Sequence, residues 1–179
     1  MTPKDEKRLL KKLIASRVKH LKKVRKRMEP YEKMNLFERY AIFMGKAQIA
    51  ELYLRTALAN DKGYSFERME RTTLGGLVTL LKKNEANDLI IFLADDVNSY
   101  RTHMAHEFLV NQLITTTLLK RKAKKYSKSF RLLEKAVFSI EQFLENYESM
   151  PPGYLWKKGK KIDVEELLES VLAKHKSAP

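Results

Sequence analysis

Arg101 and His106 lie five residues apart in the run Tyr-Arg-Thr-His-Met-Ala-His-Glu-Phe-Leu. Of the 4 histidines in the chain, His106 alone has an arginine at that spacing. Imidazole is the side chain that titrates closest to neutrality, so it can take or give a proton in a reaction. A guanidinium is permanently charged and can hold an anion in two-pronged geometry. On a regular helix, residues five apart point about 140° away from each other, at ~100° per residue. One copy therefore aligns the two poorly, and either a second copy or a distorted turn must bring them together. Glu51 is a third candidate, because it falls in the middle of an apolar stripe where a carboxylate needs a partner or a task. It could orient His106 or Arg101, or simply pair with Arg55 one turn on. His103 and His106 with Glu107 make too few ligands for a metal centre, and no metal or cofactor is expected.

The charge balance points at the substrate class. With 36 Lys and Arg against 22 Asp and Glu, the net charge is +14, a field that attracts polyanions. The charge is clustered, in a basic helix over residues 4–29 and in a run containing Lys120, Arg121, Lys124, Lys125, Lys128 and Arg131. These last six are the expected nucleic-acid-binding residues, and two such stripes on one domain suit a phosphate-tracking groove. Tyr126 and Phe130, interleaved with lysines, either stack on bases or turn inward. There is no cysteine, which rules out disulfides and thiolate chemistry and fits a reducing compartment. Neither a signal core nor a run of roughly 18 apolar residues is visible. A soluble, cytoplasmic protein that does not enter membranes is the expectation.

Few breakers and long runs of Leu, Lys, Glu and Ala predict an all-α fold, a helical bundle of four to five principal helices. In the first helix Leu10, Ile14, Leu21, Val24 and Met28 form the inward stripe, and Pro30 closes it. Asn35 and Glu38 form a capping box for the second, whose stripe is Phe37, Tyr40, Met44, Ala47, Leu54 and Leu58. AsnAspLysGly at 60–63 stops that helix. A short turn of helix follows at 65–71, and Thr73 then opens a compact helix whose paired glycines permit close approach. Residues 88–96 form another helix with Leu89, Ile90, Phe92 and Leu93 inward. Asn98 or Ser99 caps a new helix that opens on the Arg101 motif. Residues 109–148 read as helical with a break near Ser127, and Leu133, Val137, Ile140, Phe143 and Leu144 face inward. ProProGly at 151–153 separates a bundle over 1–150 from a linker and short C-terminal helical arm over 151–179.

An Arg-x4-His motif on a helix of such a bundle resembles the HEPN superfamily, over about residues 35–148. The resemblance implies metal-independent RNA cleavage by a homodimer, with two copies of the motif facing each other across a two-fold axis. His106 would exchange protons with a ribose 2′-hydroxyl or the leaving 5′-oxygen. Arg101 would hold the scissile phosphate and stabilise the charge of the pentacoordinate state. The product would be a 2′,3′-cyclic phosphate. Thr102 would sit within the catalytic motif, where family members usually carry Asn, Asp or His. Phe108 stands where some family toxins have a tyrosine that an antitoxin modifies, so that form of control does not fit.

The expected function is therefore an endoribonuclease of toxin or antiviral-defence type, with RNA, a second copy and a protein antitoxin as its partners. The alternatives are a non-catalytic nucleic-acid-binding module and a helical adaptor for an acidic protein. Arg101 pairing with Asp95 or Asp96 would favour a purely structural motif.

Overall fold

The computed structural model describes residues 3–108 and 128–156, and among these every regular element is helical. Six α-helices are present in them: α1 Pro3–Met28, α2 Leu36–Lys62, α3 Phe66–Met69, α4 Leu74–Lys83, α5 Asp88–His103 and α6 Lys128–Glu148. None is long and apolar enough to cross a membrane. Lys120, Arg121, Lys124 and Lys125, Tyr126, the expected break near Ser127 and the C-terminal arm lie outside the described residues.

The helix ends follow local chemistry. Asn35 accepts from the Phe37 and Glu38 backbone N–H groups while Glu38 accepts from the Asn35 N–H, the reciprocal box expected from the sequence. Gly63 ends α2 at φ 69°, a left-handed conformation that a side chain would disfavour. Thr73 caps α4 by accepting from Gly76 N. α1 stops at Met28, and a 3₁₀ turn, Glu29–Lys33, carries Pro30 in its first turn, where a missing N–H costs nothing.

α6 is the hub, touching α1, α2 and α5, while α4 packs on α5 and α2. Its expected inward residues, Leu133, Val137, Ile140, Phe143 and Leu144, are all buried. At ~1.5–3 kcal/mol per large apolar side chain, this face is the largest driving force in the fold. Phe130 also turns inward, beneath the Arg39 guanidinium at 4.6 Å, so it is not free to stack on a base. The chain stays on the body past ProProGly. Leu155 is buried in a 3₁₀ turn, Tyr154–Trp156; its carbonyl accepts from Asn87 N at 2.7 Å, and Trp156 Nε1 donates to Asp61 at 2.7 Å.

Three inward stripes differ from expectation. In α1 Val24 is fully buried, but Ile14 and Val18 are exposed. α6 runs antiparallel to α1 and ends near Ser16, which shares a shallow cleft with Ser149, so the earlier turns of α1 have no α6 opposite them. In α2 the core residues include Phe43 and Ala50, whereas Phe37 is exposed. α2 is apolar on two faces, and a periodicity argument cannot choose between them. In α5 Ile90 and Leu93 are buried, but Leu89 and Phe92 are exposed, since the helix has neighbours on one side only there.

α1 is fastened mainly by charge. Glu141, Glu145 and Glu148 lie on one face of α6, and Arg27 donates to Glu141 at 2.7 Å and to Glu148 at 2.8 Å, with Glu145 at 3.4 Å. Lys23 pairs with Glu145 at 2.9 Å. Glu141 is fully buried and also accepts from Lys46 and the Tyr31 hydroxyl. Burial alone would push its carboxyl up; the hydrogen bonds from Lys46, Tyr31 and Arg27 outweigh it and hold the carboxyl below its ordinary range. A depressed carboxyl pKa gives stability that is complete above the unfolded value and is lost as pH falls through the folded one. Glu141→Ala should cost about 3–5 kcal/mol in urea unfolding, because three donors lose a buried partner, and Glu148→Ala under about 1 kcal/mol. The wild type should lose stability as pH drops below 4.5, and Glu141→Ala should flatten that loss.

Candidate functional site

The Arg101 motif closes a helix instead of opening one. Asn87 caps α5, accepting from Leu89 N at 3.0 Å, and the helix then runs unbroken to His103. Ser99 does not act as a cap, because its hydroxyl donates back to the Asp95 carbonyl one turn earlier, at 3.0 Å. Asn98 is occupied against α4, where a Cβ on Gly75 would lie 3.2 Å from its Nδ2. That is the close helix approach the paired glycines suggested.

Beyond His103 the backbone widens into a π turn, Met104–Phe108. Such turns bond i to i+5, so residues five apart lie closer to one face than the ~140° separation of a regular helix. The distortion therefore acts on the Arg101–His106 spacing. Met104 and Phe108 anchor the turn by burial, and Phe108 stacks on Tyr40 with ring centroids 5.6 Å apart. Between these anchors Ala105 and His106 face outward, and Thr102 is also exposed.

Glu51 organises the inner half of the site. It is buried, and its Oε1 lies 2.9 Å from Arg101 Nη1 while accepting from Leu74 N at 3.0 Å. Its Oε2 lies 3.3 Å from Arg55 Nη2, and Arg55 also donates to the Thr72 carbonyl at 2.9 Å. Two of the three partners considered for Glu51, Arg101 and Arg55, are thus engaged at once. The carboxylate sits at the start of α4, where the helix dipole favours negative charge. Arg101 does not pair with Asp95 or Asp96: Asp95 takes Lys82 at 3.0 Å, and Asp96 accepts from Ser139.

The resulting charge count decides what the site can do. Two guanidiniums share one carboxylate, leaving one positive charge unbalanced among the described residues. The Nε atoms of Arg55 and Arg101 are buried without hydrogen-bond partners. Arg101 keeps 27% of its side chain exposed, so the surplus charge reaches the surface. A monoanion such as a phosphodiester would neutralise it.

The other predicted residues are placed more loosely. Arg131 is exposed on α6, at the rim of a groove of about 840 Å³ that Phe92, Tyr100 and Phe138 also line. Lys128 begins α6. The groove lies on the flank of α5 away from Glu51, so it is not where the charged cluster is. No group of three His, Asp or Glu able to hold a metal exists among the described residues. The π turn and the shared carboxylate were missed in the sequence; the signal for the second was Glu51 and Arg55 together on an otherwise apolar helix.

No family model matches the chain. Nor does any curated protein or solved structure match it. Its own geometry must carry the functional argument.

Removing Glu51 should cost more than removing either arginine, since it leaves two guanidiniums and the Leu74 N–H without an acceptor. Glu51→Ala is expected to lose about 3–5 kcal/mol in urea unfolding and Arg101→Ala about 1–2 kcal/mol. Equal losses would mean that Glu51 and Arg101 form an isolated pair.

Proposed function

We propose that the protein is a metal-independent endoribonuclease of HEPN type that acts as a homodimer. The observation that carries this is the sharing of Glu51 between Arg55 and Arg101, which leaves a net cation beside a π turn presenting His106. Arg101 binds the scissile phosphate and stabilises charge as the attacking oxygen adds. His106 takes the 2′-hydroxyl proton as the 2′-oxygen attacks and gives it to the 5′-oxygen as that group leaves. The 2′-oxygen–phosphorus bond forms, the 5′-oxygen–phosphorus bond breaks, and a 2′,3′-cyclic phosphate results. Glu51 holds Arg101 in place and does not touch the RNA.

The second copy supplies the opposing motif. From Ala41 to Thr56 the outer face of α2 carries no charged side chain and exposes Ile49 at 43% and Leu52 at 48%. At ~100° per residue Leu52 lies about 100° from Glu51 around the same helix and Ile49 about 160°. Two molecules each carrying +14 repel one another, so an uncharged surface is where they can meet with least cost. An isologous contact on α2 sets this face against its own copy. A nuclease of this kind suits a toxin or defence effector held in check by an acidic antitoxin protein.

A second reading, a non-catalytic RNA-binding module, draws on the same surplus charge but gives His106 no part. Incubation with labelled RNA in EDTA separates the two. Cleavage to cyclic-phosphate ends is expected, with a loss of at least about 100-fold in His106→Ala and in Arg101→Ala while the circular dichroism is retained. Salt-sensitive binding without cleavage, unchanged in His106→Ala, would favour the binding module.

A further inference from the structure

The outer face of α1 has no task in the fold or in the proposed site. From Lys7 to Met28 α1 contains no acidic residue. Lys23 and Arg27 face α6 and are paired there with Glu145, Glu141 and Glu148. The exposed cations Lys11, Lys12, Lys19, Lys22, Arg25 and Lys26 fall on the side opposite the buried Val24, within about 140° of arc at ~100° per residue. They span roughly 22 Å of the axis, from a rise of about 1.5 Å per residue. Among the described residues no ion pair to a carboxylate is formed by any of these six.

Such a ridge works against the helix. Lys22 and Lys26 are like charges one turn apart, and neighbouring cations along the ridge add to the repulsion. The ion network on the opposite face, meanwhile, fixes the helix rigidly to α6. A straight row of unneutralised cations on a rigid mount matches a regular lattice of negative charge.

We infer that the outer face of α1 binds the phosphate backbone of a base-paired RNA stem and anchors it beside the site that acts on the unpaired strand. A duplex offers about one negative charge per 1.7 Å of axis, a density a single strand does not match. Proteins that grip single strands add aromatic platforms for stacking, and α1 has no Phe, Tyr or Trp. Among the described residues the large apolar side chains exposed beside the ridge are Ile14 and Val18, too few to bury a face in lipid. The choice of RNA over other nucleic acid rests on the ribonuclease reading; the binding of a duplex by α1 does not.

The test uses the full chain carrying His106→Ala, in EDTA, with a labelled RNA duplex two helical turns long and fluorescence anisotropy as readout. Lys11→Gln, Lys19→Gln, Lys22→Gln and Lys26→Gln together should weaken binding more than about tenfold. They should also make the slope of log affinity against log salt shallower by about 3. The melting temperature should hold, because these four side chains are exposed and none is paired with a carboxylate among the described residues. Four substitutions of equal charge elsewhere, Lys33→Gln, Arg68→Gln, Lys83→Gln and Lys135→Gln, should weaken binding much less. The inference is overturned if both sets weaken binding equally or if the α1 set binds like wild type. It is equally overturned if an unpaired strand competes as well as the duplex, or if phosphatidylserine vesicles, and not the duplex, need the α1 lysines. Absence of RNA cleavage by the wild-type chain, together with α1-dependent duplex binding by the His106→Ala chain, would sink the nuclease reading and leave this one standing.

Discussion

One buried carboxylate ties α2, α4 and α5 together. Glu51 receives a guanidinium from its own helix, a second from α5 and the first backbone N–H of α4. A lone carboxylate in an apolar helix face would be strongly unfavourable, and three donors offset that cost. In return the carboxylate sets where α5 ends relative to α2, and hence where the π turn and His106 project. The second guanidinium goes beyond neutralisation and leaves a positive charge unbalanced among the described residues.

The same logic recurs, with a different outcome, where α6 meets α1 and α2. Glu141 also gathers several donors, but there the neighbouring Glu145 and Glu148 supply enough negative charge for Lys23, Arg27 and Lys46. That network is a fastening: it mounts a basic helix on α6 and keeps nothing in reserve. Comparing the two clusters separates a charge that stabilises the fold from one that is available for binding.

Much of this was legible in the residues. The capping box at Asn35, the Gly63 stop, the Thr73 start and the inward face of α6 follow from local chemistry that tertiary contacts do not override. Glu51 stood out because a carboxylate on an apolar stripe must be satisfied, and Arg101 was among the partners expected. What sequence could not fix were features set by neighbours. The exposure of Ile14 depends on where α6 stops, and the two apolar faces of α2 cannot be ranked by period alone. The unbroken α5 depends on Ser99 bonding backward and Asn98 packing against Gly75, although both residues are good caps in isolation. The π turn left no compositional trace.

In the proposed ribonuclease, Arg101 of one copy and His106 of another act on one phosphodiester. Arg101→Ala and His106→Ala chains, each inactive alone, can be unfolded together and refolded so that mixed dimers form. Recovery of RNA cleavage in the mixture, with none when either chain is refolded alone, is the predicted result. A mixture that forms dimers yet stays inactive would contradict a shared site.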